Sequence, residues 1–330
     1  MISKNKFENI FSAPIAGYTN WPMRQLFNEY KASRIFSEMV HVREILYRNI
    51  EDIPLIKEAY NFTIQLFGSF DDDFINAGNV ALRFCDDIDL NCGCPVKKVI
   101  KAKGGVFWLS DIEKFSKKID EISSAFPYKV SVKIRLGFNK PQVLEIIDSI
   151  KNSKISFLTI HMRIGSMLFS GKALYNYAKL LEGYNVPIIL NGDINTPEYA
   201  KNILDSYPCK GIMIGRTSLQ DPSIFSQINS YLKTGFYLKP NPIDRINNCI
   251  KYLNYLIQYI NGYGKKTSNI NVFKRKSIIE SRKILFSLSK NIPFANTIRD
   301  NMLKINSEED LKDLKNVLSN LKSSNKYLKS

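Results

Sequence analysis

Six stretches of this chain carry residue types and spacings that could do chemistry. Cys94 sits in Asn91-Cys-Gly-Cys-Pro95, a loop whose Gly93 and Pro95 restrict its shape. A thiol held there can act as general acid or as nucleophile, or be an inert buried cysteine. Cys-x-Cys without clustered histidines or a second cysteine pair is a poor zinc pattern, so no metal is expected. Lys133 lies inside the apolar run Ser131-Val-Lys-Ile-Arg135. An ammonium there is costly unless it meets negative charge or reaches solvent. His161, one of two histidines, ends another apolar run, which leaves a structural role and a ligand contact both open. Gln65 can donate and accept at once. Asn191-Gly-Asp193 and Gly215-Arg216 join glycine turns to a guanidinium. Such a pair suits a phosphate, through backbone N–H groups and a bidentate contact, and also suits plain tight turns with a surface arginine.

The elements that must position these residues are legible as eight short apolar runs. They are Ile10–Pro14, Ile35–Met39, Phe62–Phe67, Asp87–Leu90, Val130–Ile134, Phe157–His161, Val186–Leu190 and Gly211–Ile214. Rich in Ile, Val, Leu and Phe, without clean polar alternation, they read as strands of a parallel sheet buried on both faces. Helical segments are expected between them at Trp21–Tyr30, Asp72–Phe84, Asp111–Ser124, Pro141–Asn152, Tyr175–Glu182, Pro197–Asp205 and Pro222–Lys233. Thr196-Pro197 and Asp221-Pro222 each pair an N-cap residue with proline at the first helical position. Eight β/α units predict a (β/α)₈ TIM barrel; the absence of a G-x-G-x-x-G fingerprint disfavours an open dinucleotide-binding sheet. Every chemical signal then falls at the C-terminal end of a strand, where barrel active sites are built. The glycine turns follow strands seven and eight, the usual phosphate corner.

After about Leu238 the pattern changes. Pro240 and Pro242 mark a linker, and no strand-like run follows. Helical periodicity predicts an all-α bundle of three or four helices, one opening at a capping-box-like Ser307-Glu-Glu-Asp310. The expected division is a catalytic barrel over 1–238 and a helical domain over 239–330. Lys+Arg exceed Asp+Glu by 47 to 31, a net charge of +16, and residues 241–330 hold 17 basic against 7 acidic side chains. That favours a polyanionic partner, against the plainer reading of a solvated face in a lysine-rich chain. With five cysteines in no disulfide pattern, no signal-like leader and no apolar run long enough to span a bilayer, a cytoplasmic protein is expected. No membrane association and no obligate protein partner are evident.

Taken in order, these stretches resemble the dihydrouridine synthases, flavin enzymes that reduce uridine in tRNA. The matching segments are Ala13-Pro-Ile-Ala-Gly-Tyr-Thr-Asn20, Gln65-Leu-Phe-Gly68, Asp89-Leu-Asn-Cys-Gly-Cys-Pro-Val-Lys-Lys-Val99, Val132-Lys-Ile-Arg-Leu-Gly137, Ile160-His-Met-Arg163, Asn191-Gly-Asp-Ile194 and Gly211-Ile-Met-Ile-Gly-Arg216. Ser281-Arg-Lys283 through Ile298-Arg-Asp300 is similar to the family's helical domain. The resemblance implies FMN over the barrel mouth. Its ring would be held by the backbone of Pro14, Ile15 and Ala16 and by Gln65, Lys133 and His161. Its phosphate end would meet Asn191, Gly192, Asp193, Gly215 and Arg216. It implies NADPH as reductant, Cys94 as proton donor, and Asn91 as a candidate donor to charge developing on the base. Lys97, Lys98 and Arg163 near the mouth, and Lys274, Arg275, Lys276, Arg282 and Lys283 with Lys265-Lys266, would meet the RNA. Two departures stand out. Lys103-Gly-Gly-Val-Phe-Trp-Leu109 replaces a Gly-Ala-Gly-rich stretch, and Asn20 stands where the family usually has Asp. The rival readings are an FMN barrel dehydrogenase of free pyrimidines and an RNA-binding homologue without catalysis.

Overall fold

The computed structural model describes residues 2–47, 61–263, 269–290, 292 and 295–323. Eight parallel strands form one sheet: β1 (Ile10–Ser12), β2 (Ile35–His41), β3 (Phe62–Phe67), β4 (Asp87–Cys92), β5 (Val130–Arg135), β6 (Phe157–His161), β7 (Ile188–Asn191) and β8 (Gly211–Ile214). The order β1-β8-β7-β6-β5-β4-β3-β2 closes on itself where the Ser12 N–H donates to the Arg34 carbonyl at 3.0 Å. This is the predicted (β/α)₈ barrel.

The strands alternate more cleanly than the sequence reading allowed. In β4, Ile88, Leu90 and Cys92 pack into the main core under the helices, whereas Asp89 is bonded to Gln65 and Ser131 of the neighbouring strands. In β5, Val130, Val132 and Ile134 likewise join the main core, and Lys133 and Arg135 line the cavity at the strand ends. The period of two thus carries polar side chains up the lumen. The N-terminal half of the lumen is apolar: Phe11, Phe36, Phe157, Ile189 and Met213 form a cluster of their own. Arg34 sits over the Phe11 and Phe157 rings and pairs with Asp87, so its buried charge is compensated.

Helices α1 (Trp21–Glu29), α2 (Val42–Tyr47), α3 (Phe74–Ala81), α4 (Lys97–Lys101), α5 (Ile112–Ala125), α6 (Val143–Ile150), α7 (Pro197–Ser206), α8 (Arg216–Gln220) and α9 (Ile224–Thr234) surround the strands. The helix expected at Tyr175–Glu182 is a 3-10 segment, Tyr175–Leu181. Thr196 caps α7 as its sequence predicts, accepting from the Tyr199 N–H at 3.1 Å. Asp221 does not cap α9. Its carboxylate accepts from the Ser223 N–H and from Gln227, which makes a turn and delays the helix to Ile224. The short α2, α4 and α8 are not legible in the sequence, because five or six residues carry too little periodicity to register.

From Pro242 onward the described residues are helical: α10 (Pro242–Tyr263), α11 (Ile270–Leu288), α12 (Ala295–Lys304) and α13 (Glu308–Ser323). The capping box forms: Ser307 Oγ accepts from the Asp310 N–H and Asp310 accepts from the Ser307 N–H. Helix α10 lies against α1. Trp21 stacks on Tyr259 at 5.8 Å, Glu29 takes Lys251 and Tyr255, and Tyr30 donates to Asn248. Asn20 caps α1 by accepting from Met23, and its amide donates to Tyr252. At this departure the asparagine keeps the capping acceptor and adds a donor for the helical region.

The other departure is a packing unit. Trp108 is fully buried, stacks on Phe70 at 4.6 Å, meets Phe74 edge-on and donates from Nε1 to the Gly68 carbonyl at 3.0 Å. Phe107 meets Phe138 edge-on. We expect Trp108→Ala to destabilise the protein by about 3–5 kcal/mol in urea denaturation, since it leaves a large cavity and an unpaired carbonyl. A loss near zero would mean the indole is not part of the fold's support.

Candidate active site

A cavity of about 830 Å³ opens at the C-terminal ends of the strands. Its wall includes Pro14, Ile15, Ala16, Cys94, Lys133, His161, Asn191, Gly192, Asp193, Gly215 and Arg216. These residues come from six separate strand ends, and closure of the barrel brings them together.

Cys94 is positioned by Asn91. The Asn91 Oδ1 accepts from the Cys94 N–H at 2.9 Å and the Gly93 N–H at 3.2 Å, a side-chain-closed turn. Arg135 Nε donates to the Gly93 carbonyl at 2.9 Å, and the Val106 N–H to the Cys94 carbonyl at 3.0 Å. Gly105 seals the contact from outside: its φ is +61°, and a Cβ there would lie 2.5 Å from the Cys94 carbonyl oxygen. Burial pushes the Cys94 thiol up, opposed only in part by the Val96 N–H and the charges of Arg135 and Lys133. A thiol so held stays protonated near neutral pH.

Below it runs a chain of buried amides and acids. Asn91 Nδ2 donates to Gln65 Oε1 at 2.8 Å, and Gln65 Nε2 donates to Asp89 Oδ2 at 2.6 Å. Ser131 Oγ donates to Asp89 Oδ1 at 2.6 Å. Gln65 is fully buried, with its amide bonded to Asn91 and Asp89. Asn91 lines the cavity wall, with its carbonyl on the loop and its amide on Gln65 and the Met39 sulfur, so it shapes the loop.

Lys133 is enclosed, with Nζ 3.4 Å from Asn191 Oδ1, and burial together with nearby Arg135 lowers it to about 8. His161 is held well below its ordinary range by burial and by the surrounding lysine and arginines. Its Nε2 faces Arg163 Nη1 at 3.1 Å. An arginine can only donate, so Nε2 accepts and the proton sits on Nδ1. At the corner after β7, Gly192 has φ +133°, and a Cβ would press on Ala173 and His161. The Asp193 carboxylate accepts from Arg163 at 2.7 Å, the Ala173 N–H at 2.8 Å and Arg216 at 2.9 Å. Burial pulls Asp193 up, but these donors outweigh it and hold the carboxyl below its usual range.

The expected RNA and phosphate contacts change. Arg163 is buried, bonded to Asp193, Ser170 and Gly171, so it faces no RNA. The Asp193 carboxylate is saturated by arginines, which leaves its backbone and Arg216 to face an anion. Arg282 donates to the Ile305 carbonyl at 2.9 Å and to Asn306, stapling the end of α12. Lys97, Lys98, Arg275 and Lys276 are exposed; Lys274 lies 3.8 Å from Glu308, and Lys283 lies over the Tyr18 ring at the rim. Lys265 and Lys266 lie outside the described residues. Sequence reasoning missed Arg135 as the fastener of the Cys94 loop. Its position two residues after Lys133, on the same strand face, was the available signal.

Among the described residues lining the cavity, Lys133, Arg135 and Arg216 face a single acid, Asp193. The surplus of positive charge fits an anionic occupant with a phosphate at the Gly192–Gly215 corner. No grouping of His, Cys, Asp and Glu suited to a metal occurs among the described residues.

Asp89 gives the buried chain a pH signature. Burial raises its carboxyl to about 6. With a folded value above the unfolded one, near 3.9, its protonated form contributes stability below about pH 4, and this is lost as pH rises through 6. We expect the stability of the natural protein relative to Asp89→Asn to fall by up to about 3 kcal/mol between pH 4 and 7 in urea titrations. A flat difference would mean the carboxyl is not strained by burial.

The described sequence features and geometry have clear relatives. The family model for dihydrouridine synthase (Dus) matches residues 11–325. The chain is 32% identical over 258 residues to the tRNA-dihydrouridine synthase B of Pasteurella multocida, covering 76% of this chain and 78% of that one. It is 30% identical over 297 residues to the probable tRNA-dihydrouridine synthase of Aquifex aeolicus, covering 86% and 87%. Among solved structures, morphinone reductase aligns with a TM-score of 0.50 at 10% identity, over 71% of this chain and 87% of that one. Histamine dehydrogenase from Rhizobium sp. 4-9 aligns at 0.52 and 14% identity, over 77% and 48%. These two share the fold. The family match spans barrel and helical region alike: the chain belongs to the dihydrouridine synthase family of oxidoreductases acting on tRNA.

Proposed function

We propose that this protein reduces the C5=C6 bond of specific uridines in tRNA to 5,6-dihydrouridine, with FMN as bound cofactor, NADPH as reductant and Cys94 as proton donor. The observation that carries the reading is a thiol kept protonated by burial, in a loop clamped by Asn91 and Arg135, at the edge of a cationic cavity. The ring of FMN would rest on the backbone of Pro14, Ile15 and Ala16, with Lys133 and His161 at its polar edge. Its phosphate would meet Arg216 and the backbone around Gly192, Asp193 and Gly215, with Asn191 beside them. Bound there, FMN would supply the hydride that saturates C6.

The chain's own residues do the rest. Lys133, its charge disfavoured by burial, matches negative charge near the ring. Neutral His161, its proton on Nδ1, offers a donor without adding charge. Cys94 gives its Sγ proton to C5. The thiolate left behind is stabilised by Arg135, Lys133 and the Val96 N–H, the same groups that temper its rise. The target base must leave its stack to reach the cavity.

The helical region, with Lys97, Lys98, Lys274, Arg275, Lys276 and Lys283, would hold the tRNA backbone. No helix among the described residues is long and apolar enough to cross a membrane, and the cytoplasm is the place we propose for the reaction.

Dihydrouridine mapped by position, in RNA from cells with and without the gene, tests the activity. We expect one or more sites to be lost and then restored by the natural protein but not by Cys94→Ala. No change at any site would sink the reading. In vitro, Cys94→Ala should keep FMN and lose at least about 10²-fold in rate of base reduction. Because the acid form is the active one and its ionisation is raised, the natural enzyme's rate should stay level past the pH where an ordinary thiol ionises, then fall. A decline already underway at neutral pH would argue against Cys94 as the donor. Binding titrations over a range of salt test the helical region through Arg275, an exposed residue of α11. Arg275→Ala should weaken tRNA binding and lower its salt dependence by about one counterion.

A further inference from the structure

The loop after β6 presents one apolar ring to the cavity mouth. Phe169 is 55% exposed and forms part of the cavity wall. Two features show that this exposure is built and not incidental. The loop is pinned from beneath by the buried Arg163, whose Nε donates to the Ser170 carbonyl at 3.1 Å and whose Nη2 donates to the Gly171 carbonyl at 2.7 Å. Its turn is made by Leu168 at φ +52°, a costly backbone region for a leucine. Strain is therefore accepted next to a ring that gains little burial in return.

The ring is also electrostatically prepared. The guanidinium of Arg135, itself 1% exposed, lies 5.4 Å from the ring centroid. Arg216 reaches the Phe169 backbone carbonyl at 3.4 Å. An aromatic surface with one guanidinium by its ring and another by its backbone matches one ligand chemistry above others: a nucleobase stacked on the ring with its phosphate near a cation.

We propose that Phe169 is a stacking platform for the nucleobase next to the target uridine. This rests on the reading of the chain as a uridine-reducing enzyme of RNA. Depth decides which base it takes. Cys94, half-buried on the cavity wall, marks where the reacting base must lie. Phe169 stands at the rim, where the strand leaving that base would pass. The platform would hold the splayed strand and so contribute to selection of a single-stranded site.

The test uses the FMN-loaded enzyme and tRNA purified from cells that lack the gene. Phe169→Ala should raise KM for tRNA about tenfold or more while leaving kcat within about threefold. Phe169→Tyr should restore the natural KM, and Phe169→Leu should not. NADPH oxidation by oxygen without RNA, and FMN retention, should match the natural enzyme in all three. An unchanged KM for tRNA, full rescue by leucine, or a shift confined to NADPH or FMN would overturn the proposal. If the natural enzyme forms no dihydrouridine, the proposed reaction fails on its own. Fluorescence anisotropy of the same tRNA then still decides the platform: weaker binding by Phe169→Ala but not Phe169→Tyr supports it, and equal binding overturns it.

Discussion

A polar side chain turned into a closed barrel has no bulk water to fall back on, so its burial is costly unless it finds a partner inside. β3, β4 and β5 turn several inward, and pairing them builds the site, while the buried Thr159 Oγ1 of β6 is left without a partner. Asp89 takes Ser131 and Gln65, Gln65 takes Asn91, and Asn91 in turn closes the loop that carries Cys94. Each amide in this series has its orientation set by the one below it, because reversing one would bring donor against donor. The position of the thiol therefore depends on a carboxyl buried well beneath it.

The other corner of the cavity works by charge. Arg163 and Arg216 both hold Asp193, and Arg163 also fixes the tautomer of His161 and the loop from Ser170 to Gly171. A buried arginine thus organises the histidine, the glycine-bearing turn after β7 and the rim at once. Removing Asp193 would leave two guanidinium groups facing each other with no acid between them, a costlier defect than the loss of a surface ion pair.

The helical region reaches the cavity through the β1–α1 loop. Gly17, with φ +77°, donates its N–H to Glu38 at 2.7 Å, while Lys283 of α11 covers Tyr18. Burial raises the Glu38 carboxyl, with Gly17, Arg24 and Lys283 among the groups around it. The same loop supplies Pro14, Ile15 and Ala16 to the cavity wall. Residues that would grip RNA and residues that would hold a cofactor ring are thereby joined by one short segment, and α10 on α1 braces it from behind.

What the sequence by itself determined is the set of elements and the ends at which chemistry gathers. The apolar runs mark the eight strands, Thr196 and Ser307 mark helix starts, and Cys94, Lys133, His161 and Arg216 all fall at strand ends. Local rules decide these, since a cap, a turn or a buried run is written in neighbouring residues. Only the tertiary structure decided which polar groups are free. Arg163 and Arg282 have the same types and similar settings as residues that face ligand, yet partners far along the chain consume them. Arg135 and Phe169 gain their roles from each other although they belong to different strand ends. Hydrogen-bond satisfaction inside a closed barrel is a property of neighbours in space, and linear spacing does not encode it.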